Sequence, residues 1–355
     1  MKRLKLGDSE ILVSKVCLGT MIFGGQVDEK LADKILNYAC ENEINFIDTA
    51  EMYPIPDKKE KFGVTEKIIG SWLKKSKKNR DQLVIASKVS GPSRSADSHT
   101  DQSDQLSEKN IIISCEASLR RLNTDYIDLY QIHWPGRHAA RFGNSYFDSE
   151  KVGEEDQESI ETQLYALDKL VRQGKVRAIG LSNETPYGVH EFISVAKSRG
   201  YTKISSVQNP YCLIGRMAEN GLDEMLVKLG ISFLGYSPLA FGLLTGKYDL
   251  DGVDGLVPQN NSRLAMYQSM RKQRWGKSRS QKVSLTYNML ARELGMKPAQ
   301  MALAFCYHKK FVGSTVIGVS NLNQLKENID ALSIELGTEI LSKIDEIRYI
   351  NGDPV

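Results

Sequence analysis

Short apolar runs alternate with longer stretches of helical period along the whole chain. The runs fall at residues 14–19, 45–49, 82–88 and 126–133, and again at 176–182, 204–208, 231–236 and 314–318. Each is short, apolar on both sides and bounded by polar residues, which is how a parallel strand covered on both faces reads. Between them, the stretch 28–41 sets Leu31, Ile35, Leu36 and Ala39 near a 3.6-residue period, and 107–121 carries Ile111, Ile112, Cys115 and Leu119 on one side. Further helices are expected at 65–75, 161–173, 187–199, 217–228, 282–294 and 321–331. Strand and helix in alternation, eight times over, predict an α/β fold: a closed (β/α)8 (TIM) barrel. Such a barrel needs roughly 250 residues or more, so residues 1–355 are read as one domain. A hairpin at 2–5 and 11–13, turning at Gly7-Asp8, is expected to plug the barrel floor.

Three polar stretches interrupt the alternation, at 91–105, 136–158 and 249–280. Each follows a strand and precedes its helix, which puts it on the C-terminal face, where barrels of this kind build their sites. Composition narrows the partners. A net charge of +3 is too small for an electrostatic nucleic-acid binder. No apolar run approaches the roughly 20 residues of a membrane span. The polar, basic start of the chain does not read as a secretory signal, so a cytoplasmic location is expected. Five cysteines (Cys17, Cys40, Cys115, Cys212 and Cys306) are scattered and form no CxxC pair. Neither a disulfide framework nor a metal site is expected, and Cys115 and Cys306 fall in helical apolar patterns as core residues.

Four residues stand out by position. Asp48 ends the second strand, Lys88 the third and His133 the fourth, and Tyr53 follows Asp48 by five residues. Each has a plain structural reading: Asp48 as a cap or turn residue, Lys88 snorkelling to solvent, His133 satisfied in a core, Tyr53 as packing. Together they deliver an acid, a base, an imidazole and a phenol to one mouth of the barrel. A phenol, with an ordinary pKa near 10, is a poor donor at neutral pH until a nearby ammonium favours its phenolate. Asp48 then holds Lys88 beside Tyr53, His133 orients a carbonyl, and Tyr53 protonates the oxygen as hydride reaches carbon.

The segments around these residues resemble the aldo-keto reductase family over nearly the whole chain. They are Gly19-Thr20-Met21-Ile22-Phe23-Gly24-Gly25 as an opening loop, Asp48-Thr49-Ala50-Glu51-Met52-Tyr53 as a signature, then Lys88 and His133. The segments 50–54, 86–94, 131–135, 180–185 and 298–305 look closest to the bacterial Tas-type members. The resemblance implies catalysis by Asp48, Tyr53, Lys88 and His133, and a nicotinamide cofactor, NADP(H), with NAD(H) open, bound without a Rossmann fingerprint. It implies cofactor contacts from Gly19, Thr20 and Met21, with Ser182, Asn183 and Gln208 on the carboxamide and Tyr236 against the ring. Ser237, Pro238, Leu239, Gly242, Leu244 and Lys247 would follow the pyrophosphate. Ile317, Gly318, Ser320, Gln324, Glu327 and Asn328 would meet the adenosine end. Many members carry Lys-Ser and then Arg where this chain has Gly318-Val319 and Gln324. A grip on a 2′-phosphate then falls to Ser320 or to the basic stretch 263–282, with Arg263 as one candidate and a solvated charge run as the other reading.

The expected substrate is small and neutral, or at least carbonyl-bearing, with Phe23, Trp134 and Phe241 lining its pocket beside Met21 and Tyr53. Two other classes compete: a barrel aldolase with Lys88 as a Schiff-base nucleophile, and a regulatory cofactor-binding module with little turnover, like the potassium-channel β-subunits of this fold. A monomer and a ring of barrels read alike in sequence, so the pattern sets no oligomeric state.

Overall fold

Side-chain alternation along eight short parallel strands explains how the barrel closes and fills. In this computed structural model, which describes residues 1–56, 59–76, 78–92, 106–140, 142–143, 146–153, 158–249, 262–267 and 271–355, the strands are β3 (Val16–Gly19), β4 (Phe46–Asp48), β5 (Val84–Val89), β6 (Ile127–Ile132), β7 (Val176–Ser182), β8 (Ser206–Pro210), β9 (Ser232–Tyr236) and β10 (Val312–Ile317). They pair in chain order, and β10 closes onto β3. Neighbours are in parallel register, with Leu18 opposite Ile47 and Ile47 opposite Ile85.

Because successive side chains point to opposite faces, each strand feeds two cores. Cys17, Phe46, Val84, Leu129, Ala178 and Leu234 fill the lumen. Leu18, Ile47, Ile85, Ile179, Val207 and Phe233 join the larger core shared with the helices. The hairpin of β1 (Arg3–Lys5) and β2 (Leu12–Ser14) is antiparallel, and Leu6, Ile11 and Val13 belong to the lumen cluster. Its apolar residues therefore stopper one end, and the other end is left for chemistry.

Helices cover the barrel where the apolar period sets them, and polar caps start them. The Asp28 carboxylate accepts from Leu31 N at 2.8 Å ahead of α1 (Glu29–Glu41). Ser107 caps α3 (Glu108–Leu122), which follows α2 (Val64–Lys75), and Ser159 caps α4 (Ile160–Arg172). Thr185 precedes Pro186 at the start of α5 (Pro186–Arg199), where proline's missing N–H costs nothing. The single helix expected at 217–228 is instead a 3₁₀ turn, Met217–Glu219, and a shorter α6 (Leu222–Lys228). Gly221, at φ 94°, separates them. The last long loop holds a helical turn, Arg263–Met266, and a π-helical turn, Arg271–Trp275, before α7 (Ser278–Glu293).

Two helices are not among the elements expected from the pattern, although Cys306, read as a core residue in a helical apolar stretch, falls in the first of them. In α8 (Pro298–His308) every residue from Met301 to Tyr307 is buried, so no polar face marks a period. α10 (Thr338–Asn351), which follows α9 (Leu322–Asp330), buries only Ile344 fully, so its apolar stripe is thin. All five cysteines are free and buried. Among the described residues, no helix is long and apolar enough to cross a membrane. Residues 93–105 and 250–261 of the expected loops lie outside the described residues.

Candidate active site

The lumen alternation that is apolar below turns polar at the C-terminal ends. On the inward positions Phe46 gives way to Asp48, Ala86 to Lys88, and Leu129 to Gln131 and then His133. Ser206 gives way to Gln208, and Leu234 to Tyr236. Lys88 is fully buried and donates through Nζ to Asp48 Oδ2 at 2.6 Å and to Thr49 O at 2.7 Å. Asp48 Oδ1 accepts from Gln208 Nε2 at 2.8 Å and Gln131 Nε2 at 3.3 Å. One carboxylate thus collects donors from three other strands. This desolvated pair is tolerable because its oxygens are saturated with donors.

Tyr53 comes back over this pair from the loop after β4. That loop is pinned at several points: Tyr53 N donates to Ala50 O at 3.1 Å, Ile55 N to Met21 O at 3.0 Å, and Thr65 N to Tyr53 O at 3.4 Å. Glu51 adds a tie, its backbone N–H reaching Lys88 O at 3.3 Å and its buried carboxyl accepting from Ser90 N at 2.7 Å. Burial pushes the Glu51 carboxyl up to about 7, helped by the neighbouring Glu66 and opposed by Ser90, Arg121 and Ser114. Lys88 Nζ lies 5.2 Å from the Tyr53 ring centre. The Tyr53 and His133 rings meet edge to face at 5.6 Å and 76°. Asp48, Tyr53 and His133 line the cavity at the barrel mouth, and Lys88 stands behind Asp48, out of reach of a substrate carbon.

The cavity, about 550 Å³, is within the usual range for ligand sites. Gly19, Thr20 and Met21 line it beside β3, and Ser182, Asn183 and Gln208 above β7 and β8. Tyr236, Ser237, Pro238, Leu239, Gly242 and Lys247 line the side after β9. Ile317, Gly318, Ser320, Gln324, Glu327 and Asn328 line the end after β10. The polar groups hold one another: Asn183 Nδ2 donates to His133 O at 2.9 Å, and Tyr236 OH to Asn183 Oδ1 at 2.7 Å. Gly242 has φ 96°, and a Cβ there would meet Lys247 Cε at 2.7 Å, so only glycine fits this close turn.

Two expected contacts do not reach the cavity. Phe23 is fully buried: Phe23 N bonds Thr20 O at 2.9 Å, and Phe23 O accepts from the Thr65 hydroxyl at 2.7 Å, so the turn tucks its ring into the core. Leu244 is also fully buried, on the inner side of the 3₁₀ turn Ala240–Thr245. Trp134 and Phe241 do line the cavity. Trp134 donates from Nε1 to Pro92 O at 2.9 Å and packs against His133 at 5.0 Å. Phe241 stacks on Trp275 at 5.9 Å and 13°, with the Arg263 guanidinium 4.6 Å from its centre.

Several site residues were not named from sequence. Gln131, which bonds Asp48 from behind the cavity, had a signal: it sits two positions before His133 on the same strand face. Arg274 fell within the basic stretch 263–282 but was not picked out from it, and Phe142 and Trp275 carried no signal. Arg263 sits where its Nη1 would be 3.7 Å from a Cβ on Gly318. Among the described residues its buried Nε has no hydrogen-bond partner, and desolvation lowers its pKa from the usual arginine range.

Residues 15–349 match the model of the aldo/keto reductase family. The chain belongs to that family. It is 41% identical to Protein tas of Escherichia coli (strain K12), covering all of this chain and 99% of that protein. An aldo-keto reductase of Babesia bovis is 37% identical over 77% of this chain and 98% of its own length. The uncharacterized oxidoreductase YrpG of Bacillus subtilis (strain 168) is 33% identical over 98% of this chain and 96% of its own. As an aldo/keto reductase the protein is an oxidoreductase enzyme, of a family that works with nicotinamide cofactors.

Proposed function

We propose that this enzyme, one domain over residues 1–355, reduces aldehydes or ketones to alcohols with NADP(H), and that Tyr53 donates the proton. The observation that carries the reading is the convergence of Tyr53 and His133, ring to ring at 5.6 Å, on a cavity backed by the buried Asp48–Lys88 pair. A bound nicotinamide dinucleotide supplies the hydride. His133 orients the substrate carbonyl by a hydrogen bond, and Tyr53 gives its proton to the oxygen as charge builds there. Asp48 keeps Lys88 fixed beneath the Tyr53 ring, so the ammonium acts on the phenol rather than as a nucleophile.

The chain's own groups suit such a cofactor. Gln208 gives its N–H to Asp48, which leaves its amide oxygen for a carboxamide, beside Ser182 and Asn183. Tyr236 offers a ring face, and Gly19, Thr20 and Met21 close the opposite side. Ser237, Pro238, Leu239, Gly242 and Lys247 serve the pyrophosphate. Ile317, Gly318, Ser320, Gln324, Glu327 and Asn328 serve the adenosine end. The choice of NADP(H) rests on Arg263, which stands beside Gly318 and whose buried Nε has no partner among the described residues. A phosphate dianion satisfies such a group. Free cysteines throughout fit a cytoplasmic location.

The test is loss of cofactor absorbance with an aromatic-aldehyde panel, using NADPH and NADH in parallel. Tyr53→Phe should lower kcat by about 10²–10⁴-fold. Arg263→Gln should reduce the NADPH-over-NADH preference about 10–100-fold. Full turnover in the Tyr53 variant would remove that residue as proton donor. Tight cofactor binding with no turnover, together with a copurifying protein, would point instead to a regulatory module.

A further inference from the structure

Away from the cavity, the buried Arg216 and the partly buried Arg121, Arg137 and Arg80 each pair with carboxylates. Arg216 pairs with Glu219 and Asp345, Arg121 with Glu66, Arg137 with Glu184 and Arg80 with Asp128. Arg274 breaks the pattern. It is 9% exposed, lines the cavity, and among the described residues has no carboxylate partner. Its Nη1 donates to the Tyr236 hydroxyl at 3.1 Å, and its guanidinium lies 5.5 Å from the Phe142 ring centre. An arginine stays charged, and a shielded charge without a counter-ion is costly. A phenol oxygen and a ring face offset only part of that cost. The position calls for an anion.

Its surroundings say which anion. Arg263, a second cavity arginine with no carboxylate partner among the described residues, stands beside Gly318 at the end after β10. Arg274 lies elsewhere, on a wall of rings: Phe142 meets Trp134 edge to face at 6.0 Å, and Trp134 packs on His133 at 5.0 Å. The cation and the imidazole are therefore joined by apolar surface. We propose that Arg274 selects carbonyl substrates carrying a carboxylate, separated from the carbonyl by an aryl or short alkyl spacer. The carbonyl meets His133 and Tyr53, the spacer lies along Trp134 and Phe142, and the carboxylate takes the guanidinium fork, whose planar geometry matches it. This inference rests on the reductase reading for the carbonyl end alone. The carboxylate end stands on the unpaired arginine.

The experiment compares 4-carboxybenzaldehyde with the nearly isosteric, neutral 4-carbamoylbenzaldehyde, in wild type, Arg274→Gln and Arg274→Lys. Each protein is checked for folding by circular dichroism. The kcat/KM ratio of acid to amide should favour the acid in wild type, fall about 10–100-fold in Arg274→Gln, and recover in part in Arg274→Lys. An unchanged ratio overturns the proposal. So does an unchanged ratio with weakened NADPH binding, which would assign Arg274 to a cofactor phosphate. Calorimetric titration with 4-carboxybenzyl alcohol separates this inference from the reductase reading. If neither aldehyde is reduced, binding that weakens at least about 10-fold in Arg274→Gln still supports the carboxylate site. Equal binding by both proteins overturns it.

Discussion

Glu51 lies between Asp48 and Tyr53 in the chain, and its buried carboxyl makes the stability of this region depend on pH in a direction that can be worked out. Its pKa stands at about 7 in the folded protein, against an ordinary 4.5, because burial disfavours the charge and Glu66 adds to it. The Ser90 N–H, Arg121 and Ser114 pull the other way without cancelling the shift. A folded pKa above the unfolded one means that the folded state keeps its proton where the unfolded chain has released it. Stability from this group is thus fully present below pH 4.5 and is lost as pH rises through about 7. A gap of two to three pKa units corresponds to about 3 kcal/mol. Glu51→Gln removes the titration and keeps an amide oxygen for Ser90 N–H. At pH 5.5 wild type has lost about 1 kcal/mol of this contribution, and at pH 8.5 nearly all of it. The stability of Glu51→Gln relative to wild type should therefore rise by about 2 kcal/mol between those pH values. Urea unfolding of both proteins at both pH values, followed by near-ultraviolet circular dichroism, measures that change. A relative stability that stays constant, or falls towards pH 8.5, refutes the reasoning.

Two further substitutions probe the site's framework. Asp48→Asn strands the Lys88 ammonium among donors and should cost about 3–5 kcal/mol in urea unfolding. With Lys88→Met and the double variant completing the cycle, the double should lose clearly less than the two single losses summed, whereas strictly additive losses would show the pair is not coupled. At Gly91 a Cβ would fall 2.5 Å from Trp134 Cδ1 and Nε1. Gly91→Ala should displace the indole, raise KM for aryl aldehydes, shift tryptophan fluorescence and cost about 1–3 kcal/mol. An unchanged KM would remove Trp134 from the pocket wall.

What the sequence discloses of this fold follows from how each element is buried. A strand covered on both faces is a compact apolar run, so all eight barrel strands were found within two residues or so of their ends. An amphipathic helix advertises its period, as α1 does with Ile35, Leu36 and Ala39 buried. α8 is apolar all round, so only its Cys306 was read as a helical core position, and α10 is barely apolar; neither shows the two-faced period that marks an element. In the site, Asp48, Lys88 and His133 were legible because they sit on lumen-facing strand ends, where a polar residue after apolar ones is conspicuous. Phe23 misled because an aromatic ring in a loop near the mouth can turn either way, and the Thr20 turn sends this one inward. Phe142 is brought to the cavity by tertiary contacts that no local pattern encodes, and within the basic stretch 263–282 no pattern told Arg274 from its neighbours.

On the proposed mechanism, the inward alternation ties the cofactor contact to the group that positions Lys88. Asp48 Oδ1 is held by Gln208 from β8 and Gln131 from β6, and Asp48 Oδ2 by Lys88 from β5. The side chain proposed to meet the carboxamide is therefore the one that fixes the carboxylate's second oxygen. Its Nε2 carries a second N–H and its oxygen is an acceptor, so Gln208 can meet a carboxamide without releasing Asp48. Turning the amide end for end would take a donor from Asp48 and loosen the carboxylate that positions Lys88 under Tyr53. A Gln208→Glu change, which removes both N–H donors, should therefore disturb the Asp48–Lys88 pair as well as cofactor binding.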